Sequence, residues 1–422
     1  MTAQQTIILD LTGESARICV VDPGNQSLEI SRQLIAPCRV AVRDDEAGIR
    51  FFAGNKTAHI SEDDRTLIFD NLPAALLGVD DNELQSELAL AFWNEICDTL
   101  LNEGLLKEPV EAAKGYVIPN HRSPPDLLER IRTAWAKRTP CIAAFCHEAI
   151  SLVMGFLQSN AFSLTLRDFD YSVSTPICLF AAGNKVVDVA CFDYLLTADA
   201  GASISLRNYF HTSYNDLFRG LKHSNWSDSF SVLYSLETPD LPDSAREVLD
   251  ALFAAVWTDA VVKKRLQMPE LQWLKAQGAA YIASCCSGRG ASTGEYTIET
   301  AWNIGVRLDH DSFHPLITSK KFEEVRSSSH STLQTFKLQG HPGNEMLVQL
   351  YCGFSDRVED STLLGQLTLS QPELASLSSG NEKALAVVLK LDTHGSGEFT
   401  LGLLPGDRIV SSMPFALPGL VI

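Results

Sequence analysis

Residues 6–21 read Thr-Ile-Ile-Leu-Asp-Leu-Thr-Gly-Glu-Ser-Ala-Arg-Ile-Cys-Val-Val, two apolar runs separated by a polar turn around Gly13. Short apolar runs that flank a glycine-containing turn are typical of a β-hairpin. A second pattern of this kind covers residues 177–180 and 186–194, around Ala-Ala-Gly-Asn-Lys. The sequence therefore predicts two hairpins, one near the amino terminus and one close to the middle of the chain.

Helix-like and strand-like segments alternate around these hairpins. The spacing of apolar residues predicts helices over residues 84–106, 126–137 and 147–157, and a mostly helical stretch over 244–283. Short apolar runs predict strands over 116–118 and 141–145. No internal repeat is visible in the sequence.

The composition and the hydrophobic pattern of the sequence change near residue 287. Residues 287–294 read Ser-Gly-Arg-Gly-Ala-Ser-Thr-Gly, a small and polar composition that is typical of a linker. Beyond it, hydrophobicity alternates with period two over residues 346–351, 363–369, 385–391 and 399–403, which predicts strands. We therefore predict an α/β domain over 1–287, a linker over 288–296 and an all-β domain over 297–422.

Composition excludes several classes of partner. The 422 residues carry 34 Lys+Arg against 52 Asp+Glu, a formal net charge of -18, which repels the phosphate backbone of nucleic acids. No basic, apolar leader and no apolar run of about 18–20 residues is visible, so we predict neither a signal peptide nor a membrane span. The 10 cysteines form no Cys-x-x-Cys pair, and we expect a cytoplasmic protein with reduced thiols.

Several short segments, and their order along the chain, resemble those of a known protein family. In the first domain they are Leu9-Asp10-Leu11-Thr12-Gly13-Glu14-Ser15, Tyr116-Val117-Ile118-Pro119, Phe145-Cys146-His147-Glu148-Ala149 and Gly278-Ala279-Ala280. In the second they are Met346-Leu347-Val348-Gln349-Leu350-Tyr351-Cys352-Gly353, Leu363-Leu364-Gly365-Gln366-Leu367-Thr368-Leu369 and Leu389-Lys390-Leu391-Asp392-Thr393-His394-Gly395. In this order the chain resembles the heat-shock-70 chaperone family. The resemblance implies an α/β actin-like ATPase-type domain, shortened here, followed by an all-β peptide-binding-type sandwich. Because the chain ends at Ile422, we expect a divergent member without the helical lid.

The resemblance also implies where a nucleotide would bind. It places Asp10 and Glu148 at catalytic carboxylates, and it places four residues in the two phosphate loops, namely Thr12, Gly13, Gly183 and Lys185. Hydrolysis in such a fold needs loop N–H groups for phosphate, carboxylates for Mg²⁺ and a lysine at the transferred phosphate.

Much of this machinery is missing from the sequence. A carboxylate at Glu14 would repel a triphosphate, and Ala181 replaces the metal-side aspartate of the second loop. The resemblance places a catalytic lysine shortly after Asp70 and before Leu76-Leu77-Gly78, but residues 70–75 contain no lysine. The adenosine-side glycine motif is also absent. We therefore treat Asp10 and Glu148 as vestigial and expect no catalytic residue, no metal site and no cofactor, although ATP with Mg²⁺ stays an alternative.

The second domain carries the candidate peptide site. The resemblance places Met346 at the floor of an apolar pocket, Val348 on the same face, and Ile304 and Val306 on a strand that lines the cleft. The residues that would arch over a peptide are Asp309 and Gln339, both polar. The alternative interpretation is that the four apolar residues fill the core of the β domain.

The sequence is compatible with three functions. The first is a divergent chaperone-like protein with weak or no ATP hydrolysis, which binds an unfolded or extended polypeptide or a full-length partner chaperone. The second is an ATP-dependent chaperone whose rewired site uses Asp10, Glu148 and Lys185. The third is a non-catalytic scaffold in a larger complex.

Overall fold

The architecture comes from a computed structural model of the chain. It describes residues 5–13, 15–21, 32–45, 48–61, 63, 65–70, 72, 76, 82–106, 113–120, 123, 125–137, 142–160, 162, 173–197, 201–217, 230–256, 262–286, 296–300, 303–307, 313–317, 330–336, 345–353, 361–370, 384–391, 396–404 and 408–416. Glu14, Asp309, Gln339 and nearly all of the predicted linker lie outside the described residues.

The first sheet contains the amino-terminal hairpin that the sequence predicts. Its five strands are β1 (Thr6–Asp10), β2 (Ser15–Val21), β3 (Arg32–Pro37), β7 (Lys114–Ile118) and β8 (Ile142–Phe145), in the order β3-β2-β1-β7-β8. The pairs β1–β2 and β2–β3 are antiparallel, whereas β7 is parallel to β1 and β8 is parallel to β7.

A smaller unit is inserted between β3 and β7. It consists of a three-stranded sheet in the order β5-β4-β6, a 3-10 helix and a long α-helix: β4 (Val40–Asp45), β5 (Gly48–Ala53), Gly54–His59, β6 (Thr66–Phe69) and α1 (Asn82–Asn102). Helix α2 (Pro125–Trp135) packs beside α1. The Trp93 and Trp135 rings stack at 5.3 Å, and the Trp135 indole N–H donates to the Ala89 carbonyl, so these two helices share one apolar core.

The second large sheet repeats the topology of the first. Its strands are β9 (Thr175–Ala182), β10 (Val186–Thr197), β11 (Gly201–Ser213), β12 (Val232–Glu237), β13 (Val262–Gln267) and β14 (Tyr296–Thr300), in the order β13-β12-β9-β10-β11-β14. Again three antiparallel strands precede two parallel ones, with helix α4 (Asp243–Val256) between β12 and β13. The internal repeat is thus one of topology, which the sequence does not reveal.

The prediction of a mostly helical stretch over 244–283 was wrong in its middle. Strand β13 separates α4 from a short 3-10 helix, Leu271–Trp273, and helix α5 (Leu274–Cys286). This strand reads Val-Lys-Lys-Arg-Leu-Gln and lies at the edge of its sheet. Edge strands are commonly charged, which removes the apolar alternation by which a strand is recognised.

Helices α3 (Glu148–Gln158) and α5 cross at a point of close backbone contact. A Cβ at Gly155 would lie 1.9 Å from the Leu274 carbonyl oxygen, and one at Gly278 would lie 1.8 Å from the Ser151 carbonyl oxygen. No side chain larger than hydrogen fits at either position. Because α3 follows the first sheet and α5 follows the second, this crossing joins the two sheets.

The carboxyl-terminal strands form two four-stranded sheets that share apolar faces, as the sequence predicts for a β-rich part. One has the order β16-β15-β18-β19 and the other β17-β20-β21-β22. Their strands are β15 (Asn303–Arg307), β16 (Phe313–Ile317), β17 (His330–Phe336), β18 (Glu345–Gly353), β19 (Ser361–Ser370), β20 (Ala384–Leu391), β21 (Ser396–Leu404) and β22 (Arg408–Ala416).

The two parts of the chain share one hydrophobic core. It includes Leu179 and Tyr281 from the α/β part together with Val348 and Val387 from the β-rich part. Strand β14, which follows the predicted linker, pairs in parallel with β11 of the α/β part. Described residues on the two sides of residue 287 therefore pack against one another. Within the described part of the chain, no helix combines the length and hydropathy that a membrane crossing needs.

Candidate functional site

A cluster of charged side chains lies between the two large sheets, at the ends of the crossing helices. Glu148 is the first residue of α3 and is fully buried, and Lys275 is the second residue of α5. The Lys275 ammonium lies 2.6 Å from a Glu148 carboxylate oxygen and 2.9 Å from a carboxylate oxygen of Asp188 on β10. One buried cation thus bridges carboxylates from both halves of the α/β part.

Asp188 has two further polar partners, both from strand β11. The Tyr209 hydroxyl donates to it at 2.7 Å, and the Nδ1 atom of His211 lies 2.7 Å from the same oxygen. Asp188 and His211 are directly opposite each other in the β10–β11 register. The antiparallel pairing therefore places imidazole and carboxylate side by side.

The third carboxylate of the cluster is Asp10, at the end of β1. It is fully buried and accepts hydrogen bonds from the backbone N–H and the hydroxyl of Thr12, at 2.9 and 2.7 Å. The Arg17 guanidinium lies 3.5 Å from its other oxygen. Thr12 in turn connects this group to the lysine, because its hydroxyl lies 3.3 Å from the Lys275 ammonium.

These contacts set the protonation of the cluster. Burial lowers the pKa of Lys275, but the negative charges of Asp188, Glu148 and Asp10 outweigh it and raise that pKa above its ordinary value. Burial raises the pKa of Asp188, yet the Lys275 charge and the His211 hydrogen bond hold it below its usual range. For His211, burial lowers the pKa, and the bond to Asp188 together with the two carboxylate charges raises it overall.

The charges in the cluster nearly cancel. Asp10, Glu148 and Asp188 supply three negative charges, whereas Lys275 and Arg17 supply two positive ones, and a protonated His211 would supply a third. Buried carboxylates require such compensation, because an isolated charge in a protein interior is strongly destabilised. The compensation here comes from the side chains of the chain itself.

Backbone N–H groups of Thr12 and Gly183, two residues that the resemblance assigns to the phosphate loops, and of the neighbouring Leu11 have acceptors within the chain. The N–H of Leu11 donates to the Ile118 carbonyl and that of Thr12 to Asp10. In the second hairpin, the Gly183 N–H donates to the Val186 carbonyl. A phosphate loop works by presenting N–H groups that have no other acceptor, and these three have one.

The predicted cofactor-binding residues thus lie in two turns that contact other side chains of the same protein. Gly13 lies beneath the Arg17 guanidinium, whose Nη1 would be 3.2 Å from a Cβ at that position. The Gly183 carbonyl accepts a hydrogen bond from the Tyr214 hydroxyl, and the neighbouring Asn184 contacts Asp240 and Thr238. Lys185 follows on the exposed side of the same turn.

The cluster also contains a grouping that the sequence analysis did not anticipate. Glu148, Asp188 and His211 each offer one potential metal-ligand atom, and these atoms lie within 4.8 Å of one another. The Lys275 ammonium contacts both carboxylates at hydrogen-bond distance. A cation that used these ligands would therefore have to displace the lysine.

The predicted peptide-binding residues lie in the interior of the β-rich part. Ile304, Val306, Met346 and Val348 are all buried and belong to its hydrophobic core. The register explains this placement, because Ile304 and Val306 lie opposite Cys352 and Leu350, which are also buried. The burial of these four side chains is what the core interpretation expects.

Sequence reasoning missed five members of the cluster, namely Arg17, Asp188, Tyr209, His211 and Lys275. They come from one helix start and from strands β2, β10 and β11, so no single stretch of sequence brings them together. Comparison with known proteins adds no further assignment: no protein-family model matches the chain, and no curated protein matches it.

Proposed function

We propose that the chain is a divergent protein of the heat-shock-70 type that binds polypeptide and does not hydrolyse ATP efficiently. In this proposal its α/β part is an actin-like domain whose cleft is closed by internal ion pairs. The ligand is an extended segment of another protein or a partner chaperone.

The topology supports the family assignment. Three features support it: five strands of each large sheet share one topology, two helices cross between these sheets, and a pair of four-stranded sheets follows. The resemblance implies an actin-like domain followed by a β-sandwich, and these features are compatible with that arrangement. The first hairpin, β1–β2, and the second, β9–β10, hold equivalent positions in their sheets. This equivalence is what an actin-like domain requires of its two phosphate loops.

The observation that carries the loss of activity is the position of Lys275. Its ammonium lies among the carboxylates that would hold Mg²⁺ and water in a working ATPase. A triphosphate with its metal would have to displace this buried cation and break its ion pairs. Because catalytic groups act as a set, the absence of the metal-side aspartate and of the expected lysine near Asp70 removes turnover as well.

Exposed apolar side chains on the β-rich part support a polypeptide ligand. Three large apolar side chains are each about half exposed or more, namely Leu333 on β17, Leu347 on β18 and Ile409 on β22. In this proposal they, rather than the buried pocket residues, contact the bound segment, and the segment pairs with β17 or β22, the outer strands of their sheet among the described residues.

Isothermal titration with Mg-ATP, followed by an assay of phosphate release, tests the loss of activity. We expect no binding at micromolar nucleotide and no phosphate release above the buffer rate. Micromolar binding together with hydrolysis that Asp10→Asn abolishes would instead establish the ATP-dependent chaperone.

The second candidate function is a non-catalytic scaffold that binds no unfolded polypeptide. The burial of four predicted peptide-binding residues favours it: Ile304, Val306, Met346 and Val348. Arrays of unfolded-protein peptides separate the two. Saturable binding that Leu347→Ser weakens supports the polypeptide-binding protein, whereas no binding to any peptide supports the scaffold.

A further inference from the structure

A groove that includes no member of the charged cluster lies in the small inserted unit. It is a cavity of about 420 Å³ between strand β5 and helix α1. Phe51, Ala53, Leu90 and Ala91 supply its apolar lining. The resemblance and the proposed function assign nothing to this groove.

The apolar surface continues beyond the groove. In the register of the small sheet, Phe51 and Leu67 both lie opposite Val42, and Ile49 is two residues before Phe51 on β5. Residues at this spacing share one face of a sheet. Ile49 is 65% exposed and Leu67 is 60% exposed, so the face that lines the groove carries large apolar side chains into solvent.

The charged side chains that line the groove carry a net negative charge. They are Glu87, Glu95 and Asp98 from α1, together with Lys56, which already forms an ion pair with Glu95. Helix α1 carries four acidic residues and no lysine or arginine in 21 residues. The wall of the groove therefore presents excess negative charge next to exposed apolar surface.

We propose that the groove between β5 and α1 docks a basic amphipathic segment of a partner protein. Its apolar side chains would cover Phe51, Ile49 and Leu67, and its lysines or arginines would lie along Glu87 and Asp98. The negative rim makes a neutral or acidic segment unfavourable, because docking would remove water from these carboxylates without supplying a cation. The same rim repels anionic membranes and nucleic acids, which leaves protein as the partner that fits.

A fluorescent model peptide tests the proposal. The probe is a short peptide of leucine and lysine in helical spacing, and its matched counterpart has glutamate in place of each lysine. We expect fluorescence anisotropy to show saturable binding of the lysine peptide only, weakened by salt because the contacts are screened. The double variant Glu87→Lys/Asp98→Lys should weaken it about tenfold, a size that surface ion pairs permit.

Control variants separate a defined groove from general attraction to an acidic protein. Glu247→Lys/Glu345→Lys changes the net charge equally at exposed sites elsewhere, and we expect it to leave the affinity unchanged. Ile49→Ser/Leu67→Ser should also weaken binding, whereas Ile35→Ser/Val173→Ser, a change at exposed side chains elsewhere, should leave the affinity unchanged.

Two results would overturn the proposal. One is equal loss of affinity in the groove and control variants, which means non-specific attraction. The other is self-association of the chain, in sedimentation, that the Ile49→Ser/Leu67→Ser variant removes, because the occupant is then a second copy. Neither result bears on Mg-ATP binding, so the proposed function is tested separately.

Discussion

The ammonium of Lys275 lies 2.6 Å from a carboxylate oxygen of Glu148, although the two residues are 127 positions apart and begin two different helices. The start of a helix favours negative charge and disfavours positive charge. Glu148 is therefore well placed at the start of α3, whereas Lys275 depends on its carboxylate partners. The contact holds the crossing helices together at one end.

Removal of the lysine charge should destabilise the protein strongly. In Lys275→Met, the carboxylates of Glu148 and Asp188 lose their buried counter-ion, and breaking such a pair costs about 3–5 kcal/mol. Urea denaturation measures the free energy of unfolding directly. Lys390→Met is the control, because Lys390 is exposed and its ion pair with Glu398 lies at the surface. We expect it to be close to wild type, and equal losses in the two variants would contradict the structural role of Lys275.

The same Lys275→Met variant should gain affinity for a divalent cation. Without the ammonium, Glu148, Asp188 and His211 keep three potential ligand atoms within 4.8 Å of one another. A ligand at a hundred times its Kd stabilises the folded state by about 2.7 kcal/mol. We therefore expect Zn²⁺ or Mn²⁺ to raise the Tm of the variant but not of wild type. An equal rise in wild type would mean that Lys275 does not exclude cations.

The charge on His211 predicts a pH dependence. Its folded-state pKa lies above the ordinary value of 6.5, so its contribution to stability is full below about pH 6.5. That contribution is lost as the pH rises through the raised pKa. The difference in free energy of unfolding between wild type and His211→Gln should therefore be larger at acidic than at alkaline pH. A constant difference would show that the imidazole is not protonated in the cluster.

The crossing of α3 and α5 should tolerate no added methyl group. A Cβ at Gly278 would lie 1.8 Å from a backbone oxygen, so Gly278→Ala must push the helices apart, at a cost of about 3 kcal/mol or more. Thermal and urea unfolding measure the loss. Gly13→Ala is the matched control, since its nearest neighbour, at 3.2 Å, is the flexible tip of Arg17. A stability of Gly278→Ala equal to that of wild type would contradict the close crossing.

Truncation to alanine should lower the free energy of unfolding strongly at one residue of β18 and hardly at all at the next. Met346 is buried, so Met346→Ala should cost about 2–5 kcal/mol in the free energy of unfolding. Leu347 points to the other face and is 48% exposed, so Leu347→Ala should change it by less than about 0.5 kcal/mol. If Met346→Ala instead left stability intact and weakened peptide binding, Met346 would line a cleft.

Much of the secondary structure follows from local sequence. The structure confirms both predicted hairpins, the helices near residues 84–106, 126–137 and 147–157, and the carboxyl-terminal strands. In these segments apolar residues repeat with the period of the element that they form. Strand β13 was missed because its edge position lets charged residues replace that pattern.

Only part of the charged cluster could be predicted from the sequence. The segments around Asp10 and Glu148 resemble known motifs, and the structure brings both residues near Lys275. Lys275 itself stands in a helix with no recognisable signal, and its partners depend on how two sheets pack. The pairing of Asp188 with His211 depends on the β10–β11 register across a turn, which spacing along the chain does not specify.

The pairing of β14 with β11 matters for how the protein is divided for expression. A fragment that stops at residue 287 would retain β11 but lose the strand that covers its outer edge at residues 202–206. An uncovered strand edge is a template for aggregation. A truncated α/β fragment should therefore extend through Thr300. We expect a shorter fragment to aggregate through the uncovered edge of β11, whatever its cleft binds.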